Sequence, residues 1–343
     1  MLAAVLEDVR KMVLKEVPTP EPGPGEVVVK MKTCGICQTD FSAYTGRRTN
    51  WRKGSIVGHE MSGMIAEVGP GVRTFKEGDP VIVSPAVYCG QCVYCKRGLE
   101  HYCPNGWVIG GEGFETVWDG GFAEYVKAPA QTLYPKPDGI SFEAAALTEP
   151  LGGSYKGMIA YSNLTVAEDV VIIGAGGMGL LLTQVAHAAG AGRLIVIDIV
   201  DFKLDLARQC GATHVINSTK VDPKEAVYDI LPDGPDLVFE AAGVLEAATL
   251  TFELCRRGTR INMFGVIIPG TIPVSPADIH FTEIRMDASF SVTPAVLLKS
   301  IRLMETGLCD PETIISHKIP LTEMQEALRV METPERVKVV VTM

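Results

Sequence analysis

The sequence predicts an α/β chain of two domains, with a doubly wound parallel sheet in its second half and an irregular, barrel-like β domain in its first. Three observations predict it. The chain has 343 residues, long enough for two domains of ordinary size. From Asp169 to Phe290 short apolar strands alternate with helical segments, a pattern that implies right-handed crossovers between parallel strands. Residues 1–150 carry short Val/Ile runs punctuated by Gly and Pro, the texture of a β domain with tight turns.

In the first half, strands are expected around Glu26–Lys30, Met64–Val68 and Asp79–Val83, with turns at Pro22-Gly23-Pro24-Gly25 and Gly69-Pro70-Gly71. In the second half the expected alternation is strand Val170–Gly174, helix Met178–Ala189, strand Arg193–Asp198 and helix Lys203–Cys210. It continues with strand Asp236–Glu240, helix Leu245–Arg256 and strand Thr259–Gly265. The tail reads as helices Ala295–Thr306 and Leu321–Met331 and a last strand, Val337–Val341, expected to return to the first domain. The expected division is therefore 1–150 with 294–343 as one domain and 151–293 as the other.

Composition excludes several functions. The formal net charge of -10 argues against a nucleic-acid binder, whose surface would be basic. No apolar run reaches the ~18 residues a membrane helix needs, so no membrane partner is expected. Glu7, Asp8, Arg10 and Lys11 interrupt the start of the chain, which lacks the apolar core of a secretion signal. A cytoplasmic location, with reduced thiols, is the expectation.

Six of the nine cysteines fall between Cys34 and Cys103, and clustered thiols in a reducing compartment point to metal. Cys89, Cys92, Cys95 and Cys103 read C-x2-C-x2-C-x7-C. Four thiolates at that spacing close a tetrahedral shell around one zinc ion, with no open position, so this site is structural. Lys96 and Arg97 lie where they offset its negative charge, and His101 is a bystander.

Upstream, Cys34-Gly35-Ile36-Cys37-Gln38-Thr39-Asp40 and Gly58-His59-Glu60, with the distant Thr148-Glu149-Pro150, offer a thiolate, an imidazole and a carboxylate. Such a set leaves a fourth position open, the catalytic kind of zinc site, and its Lewis acidity lowers the pKa of an alcohol.

Val170-Val171-Ile172-Ile173 runs into Gly174-Ala175-Gly176-Gly177-Met178-Gly179 and then a helix, with a second strand ending at Asp198. This is the context of the Rossmann dinucleotide fingerprint. Gly174 permits the turn, Gly176 admits the pyrophosphate, Gly179 lets helix and strand pack, and the helix start offers N–H donors. Asp198 is placed to accept the ribose hydroxyls and repels a 2′-phosphate, which selects NAD over NADP. Lys203 is placed to add a hydrogen bond there. Phe264-Gly265-Val266 and Ser289-Phe290-Ser291 end late strands, where ligands of such sheets bind.

Between Thr45 and Gly58 lies Arg47-Arg48-Thr49-Asn50-Trp51-Arg52-Lys53, four basic residues and no acid in an acidic chain. Either this is a solvated basic loop or subunit contact, or Arg47, Arg48 and Arg52, walled by Trp51, recognise an anionic group on a substrate.

Taken together, these motifs resemble those of the zinc-dependent medium-chain dehydrogenases, the alcohol and polyol dehydrogenase superfamily. Gly120-Gly121-Phe122-Ala123-Glu124-Tyr125 and Glu149-Pro150-Leu151 extend the resemblance over essentially the whole chain. The Glu149-Pro150 pair resembles the sorbitol-type branch, where classical alcohol dehydrogenases carry Cys. The resemblance implies a GroES-like catalytic domain and a secondary alcohol or polyol as substrate. It implies Cys37, His59 and Glu149 on the catalytic zinc, with Glu60 behind them or exchanging with them. Thr39 would relay the substrate proton and Asp40 would orient His59. Cys34 would be a packed apolar residue. Met178 and Gly177 would lie under the cofactor phosphates, and Phe264, Val266 and Phe290 near its nicotinamide. Relatives extend the proton relay with a His at the position of Ser42, so the relay here would run through ribose and water. A homodimer or homotetramer is implied, with contacts around Thr259–Ser275. The alternatives are a threonine-type or primary-alcohol dehydrogenase, and a non-catalytic NAD-sensing protein.

Overall fold

A computed structural model of the chain describes residues 1–49, 51–111, 118–267 and 270–343. The chain divides into two compact units. The first comprises Met1–Glu149, Ser291–Glu305 and Ile315–Met343, the second Pro150–Phe290 and Thr306–Ile314.

The first unit is built on antiparallel strands. Strand Glu26–Gly35 lies between Glu60–Val68, Tyr125–Pro129 and the C-terminal strand Lys338–Thr342. Its register slips twice against Glu60–Val68, which bends the sheet as bulges do. The apolar face of these strands packs into one core with Phe41, Phe122, Met61 and Leu328. Alternation of buried and exposed side chains is weak here because both faces of the central strand are covered. The last strand pairs Val340 with Gly35 and Val341 with Cys34, so a segment some 300 residues downstream borders the start of helix Gln38–Thr45.

The second unit is a six-stranded, all-parallel sheet. Its strand order is His214–Asn217, Leu194–Asp198, Val170–Ile173, Leu237–Glu240, Arg260–Met263 and Arg285–Ala288. In chain order this is 3-2-1-4-5-6, the doubly wound arrangement that the sequence predicts. The central strand Val170–Ile173 is buried throughout, as a strand covered by helices on both faces must be.

Two details differ from the sequence reading. Residues 306–314 belong to the second unit, whereas the whole tail from 294 was expected in the first. The reason is local: the Gln184 side-chain amide donates to the Asp310 carbonyl and accepts from the Asp310 N–H, both at 2.9 Å, pinning this piece to helix Gly177–Ala188. The strand His214–Asn217 and the helices Pro223–Ile230 and Pro276–Thr282 are additional to the sequence reading, and the strand expected to end at Ser289-Phe290-Ser291 is Arg285–Ala288. Of the Thr259–Ser275 stretch expected at a subunit contact, residues 268 and 269 lie outside the described residues. No helix among the described residues is long and apolar enough to cross a membrane.

Candidate active site

Cys37 is the N-cap of helix Gln38–Thr45, and the Asp40 carboxylate accepts from its backbone N–H at 2.9 Å. This places the thiol at the start of the helix, beside Asp40. Asp40 is 2% exposed, and its other oxygen takes the Gly58 N–H and lies 3.2 Å from His59 Nδ1. With Nδ1 turned to Asp40, His59 presents Nε2 as its ligand atom, the usual arrangement for a metal-bound imidazole. Burial alone would lower the His59 pKa. The adjacent Asp40 charge and hydrogen bond, with Cys37, instead raise it well above its ordinary value, so protons compete with a metal for this group.

Ligand atoms of Cys37, His59 and Glu60 all lie within 4.8 Å of one another. Glu149, expected as the third ligand, is outside this group. Glu60, which follows His59 directly and enters the strand Glu60–Val68, is the carboxylate inside it. Two features hold Glu60 in place. Gly35 leaves room for it, since a Cβ there would sit 1.9 Å from Glu60 Oε2. Lys338 Nζ lies 2.5 Å from both carboxylate oxygens, but only Oε1 is aligned to accept a hydrogen bond. Glu149 is near enough to feel the charges of His59, Glu60 and Lys338, and burial raises its pKa. The residues therefore fit a divalent cation: a soft thiolate, an oriented imidazole and a buried Glu60 carboxylate, one of whose oxygens, Oε2, has no hydrogen-bond partner.

Thr39 follows Cys37 by two residues at the helix start, and its Oγ1 is buried without a hydrogen-bond partner. Cys34 is fully buried with its thiol raised well above its ordinary pKa by burial, a packed side chain outside the donor group.

In the loop at Cys89, sulfur–sulfur separations are 3.5 Å for Cys92–Cys95, 3.9 Å for Cys92–Cys103 and 4.0 Å for Cys89–Cys95. A tetrahedral zinc with bonds of about 2.3 Å requires sulfurs roughly 3.8 Å apart, so the loop is already shaped for the ion. His101 is not in this group. Backbone N–H groups of Gln91 and Cys92 pull the Cys89 thiol down to about 6, while burial pushes Cys95 up to about 12. Bound zinc needs all four as thiolates, and acid returns protons to them. Zinc in this loop should stay bound at neutral pH and leave on acidification, as protons return to the thiolates. A zinc-release titration checks this; release that grows with rising pH would contradict it.

In the second unit, Gly174 has φ +107, and a Cβ on Gly179 would sit 1.8 Å from the Gly174 carbonyl, so both glycines are sterically required. Gly176 caps helix Gly177–Ala188, and Gly177, Met178 and Gly179 form its first turn. Asp198 ends its strand as expected, but its carboxylate is more engaged than the sequence suggests. Oδ2 accepts from Ala175 N at 2.6 Å, and Oδ1 accepts from Ile199 N and Val200 N. It thus anchors the glycine loop. Lys203 lies on the following helix, Asp201–Gln209. Phe264 and Val266 follow strand Arg260–Met263, and Phe290 follows Arg285–Ala288; Val266 and Phe290 are 72% and 67% exposed. These residues share the carboxyl ends of the parallel strands, the ligand-binding edge of such sheets. The sequence reading missed Lys156, whose buried ammonium donates to the Phe290 carbonyl at 2.6 Å and whose pKa is lowered to about 8 by burial.

The basic loop is not a uniform patch. Arg47 and Arg52 are exposed, Arg48 is half-buried and Trp51 packs against the core of the first unit. Lys53 is paired with Asp8 at 2.7 Å. Asn50 lies outside the described residues.

Residues 23–138 match the alcohol dehydrogenase GroES-like domain, and residues 177–306 match the zinc-binding dehydrogenase family. The sequence is 33% identical to a sorbitol dehydrogenase of Bacillus subtilis over 96% of this chain and 92% of that protein. It is 34% identical to an L-threonine 3-dehydrogenase of Pyrococcus furiosus over 95% and 94% of the two chains. Similar solved structures include one described as a zinc-binding dehydrogenase of Sinorhizobium meliloti 1021 bound to NADP, with 31% identity, a TM-score of 0.92 and coverage of 100% and 99%. Another, described as a short chain alcohol dehydrogenase of E. coli CFT073 complexed with NADH, has 27% identity, a TM-score of 0.91 and the same coverage.

Proposed function

The chain belongs to the zinc-binding medium-chain alcohol dehydrogenases, oxidoreductases acting on CH–OH groups, and on that premise we propose that it oxidises a secondary alcohol or polyol, reversibly and with NAD. The observation that carries this reading is the convergence of Cys37, His59 and Glu60 near the unpartnered hydroxyl-bearing helix start at Thr39.

Cys37, His59 and Glu60 would hold the catalytic ion, with Glu149 as a nearby carboxylate able to exchange with Glu60. Cys89, Cys92, Cys95 and Cys103 would hold the structural one. Zinc, when bound, supplies a Lewis acid that lowers the pKa of the substrate hydroxyl. The chain's own residues do the rest. Asp40 fixes the His59 tautomer. Thr39 Oγ1, free of other partners, accepts the hydroxyl proton and passes its own onward. With Ser42 in place of a histidine, the onward path ends in water or in the cofactor ribose. NAD, when bound, accepts the hydride. The start of helix Gly177–Ala188 faces the pyrophosphate, and Asp198 favours ribose hydroxyls over a 2′-phosphate. The reading includes self-association as a homodimer or homotetramer and a cytoplasmic location.

A second reading, a threonine-type dehydrogenase, is favoured by the identity to the Pyrococcus furiosus enzyme. A substrate panel following the absorbance of reduced nicotinamide separates the two. Polyols turned over with the higher kcat/KM support the first reading, and L-threonine with the higher value supports the second.

The exposed Arg47 and Arg52 support a substrate carrying phosphate, sulfonate or carboxylate. Arg47→Gln/Arg48→Gln/Arg52→Gln should raise KM about tenfold or more for anionic substrates, at about 1.5–3 kcal/mol per charge-assisted hydrogen bond, and leave neutral alcohols unchanged. Raised salt should mimic the variant. Equal KM values for anionic substrates in variant and parent enzyme would sink this part of the reading.

A further inference from the structure

The C-terminal strand brings a buried cation to the metal site that the sequence motifs do not announce. Lys338 is 7% exposed, and its Nζ donates to Glu60 Oε1 at 2.5 Å and to the Ile36 carbonyl at 3.1 Å. Glu60 is 1% exposed, and its Oε2 has no hydrogen-bond partner while lying over Gly35, where no side chain can displace it. The ammonium thus lies against both oxygens and is hydrogen-bonded to one, while a Glu60 carboxylate oxygen lies within 4.8 Å of the ligand atoms of Cys37 and His59. Lys338 is within electrostatic reach of Glu60, Cys37 and Asp40, and one dication neutralises only two of these three acidic groups. Lys338 offsets the third, in a place where an uncompensated charge is costly.

We propose that Lys338 is a positioning residue of the metal site, which holds Glu60 so that its carboxylate is shared between the ammonium and the ion and not given wholly to the ion. The proposal rests on the assignment of Cys37, His59 and Glu60 to the metal. That assignment is tested separately by loss of cobalt binding at this site in Cys37→Ser. Sharing sets the strength with which the ion is held and the number and charge of its protein ligands. A site that must release and accept an oxygen ligand in each turnover works best with a carboxylate that is not fully committed.

The sign of the effect follows. Removing the ammonium strands a buried carboxylate, and the ion is the cation left for it to join. Lys338→Met should therefore hold cobalt or zinc about tenfold more tightly against a chelator, and the visible absorption of the cobalt form should shift as Glu60 enters the shell more fully. Lys338→Arg should resemble the parent. In a Glu60→Gln background, Lys338→Met should change neither retention nor spectrum. Unchanged or weaker retention in Lys338→Met, or an equal change in the Glu60→Gln background, overturns the proposal. If Lys338→Met does not fold, Glu60→Gln alone decides. Its amide oxygen still accepts from Lys338, and metal retention should fall about tenfold. Retention and spectrum equal to the parent would mean that Glu60 gives nothing to the ion, and the proposal fails.

Discussion

Cys37→Ser should reduce kcat by about 10³-fold or more while leaving the fold intact. The loss follows from the donor set. A serine hydroxyl is a harder and far weaker zinc ligand than a thiolate, so the group of Cys37, His59 and Glu60 loses its soft anionic member. Lewis-acid stabilisation is worth several kcal/mol, and each ~1.4 kcal/mol is tenfold in rate. The expected integrity of the fold follows from the same position. Cys37 is the N-cap of helix Gln38–Thr45, where serine is among the preferred residues, and Asp40 still accepts from the backbone N–H at residue 37. Metal analysis should show the loss of one zinc per chain with the four-cysteine site still filled. Thermal unfolding and circular dichroism should match the parent. Full turnover in protein shown to lack that zinc would remove the metal from the mechanism.

The contrast between Cys37 and Lys338 shows what the sequence exposes and what it hides. Cys37, His59 and the lobe cysteines are legible because thiols and imidazoles at short, regular spacing have few other uses in a reduced chain. The glycine loop is legible because strand, glycines, helix and acidic residue occur in a fixed order. Lys338 sits in Val337-Lys338-Val339-Val340-Val341, and the reading took the valines as a strand and passed over the lysine. A charged residue inside such a run was the available signal, since an interior lysine needs a partner. Its partner, Glu60, is fixed only by the pairing of the last strand with Glu26–Gly35, a contact no local pattern encodes. The same limit applies to Glu149 and Glu60: both carboxylates are visible in the sequence, and their places relative to Cys37 and His59 come from the fold.

Elements missed in the second unit have a different cause. Strands His214–Asn217 and Arg285–Ala288 are four-residue edge strands, and the second is largely exposed although Ile284, Met286, Ala288 and Phe290 alternate with polar residues. Helices Pro223–Ile230 and Pro276–Thr282 are short, but both were marked. Asp222 and Ser275 cap them, each followed by proline at the first helical position, which is the standard start signal. Those two helix starts are legible in the sequence, as is the end of the last strand at Ser289-Phe290-Ser291, whereas the strand His214–Asn217 is not.

Asp198→Asn should weaken NAD binding by about 10- to 100-fold and reduce discrimination against NADP. Two effects act on the same carboxylate. Toward the ligand, a charge-assisted hydrogen bond to the ribose hydroxyls is worth about 1.5–3 kcal/mol, and the amide supplies only the neutral equivalent. The negative charge that repels a 2′-phosphate also disappears, so the loss for NADP should be smaller than for NAD or reversed. Toward the protein, Oδ2 holds the Ala175 N–H at 2.6 Å, and Oδ1 holds Ile199 and Val200. Asparagine keeps one acceptor oxygen where three N–H groups now converge, so either the glycine loop or the turn after the strand loses its anchor. A loosened loop would weaken both dinucleotides alike, because pyrophosphate binding is common to them, whereas loss of the ribose contact weakens NAD selectively. Titrating both cofactors into the parent and the variant separates the contributions. Equal weakening of NAD and NADP would show that Asp198 acts only as the anchor of the Gly174–Gly179 turn. Unchanged NAD affinity would remove it from cofactor recognition altogether.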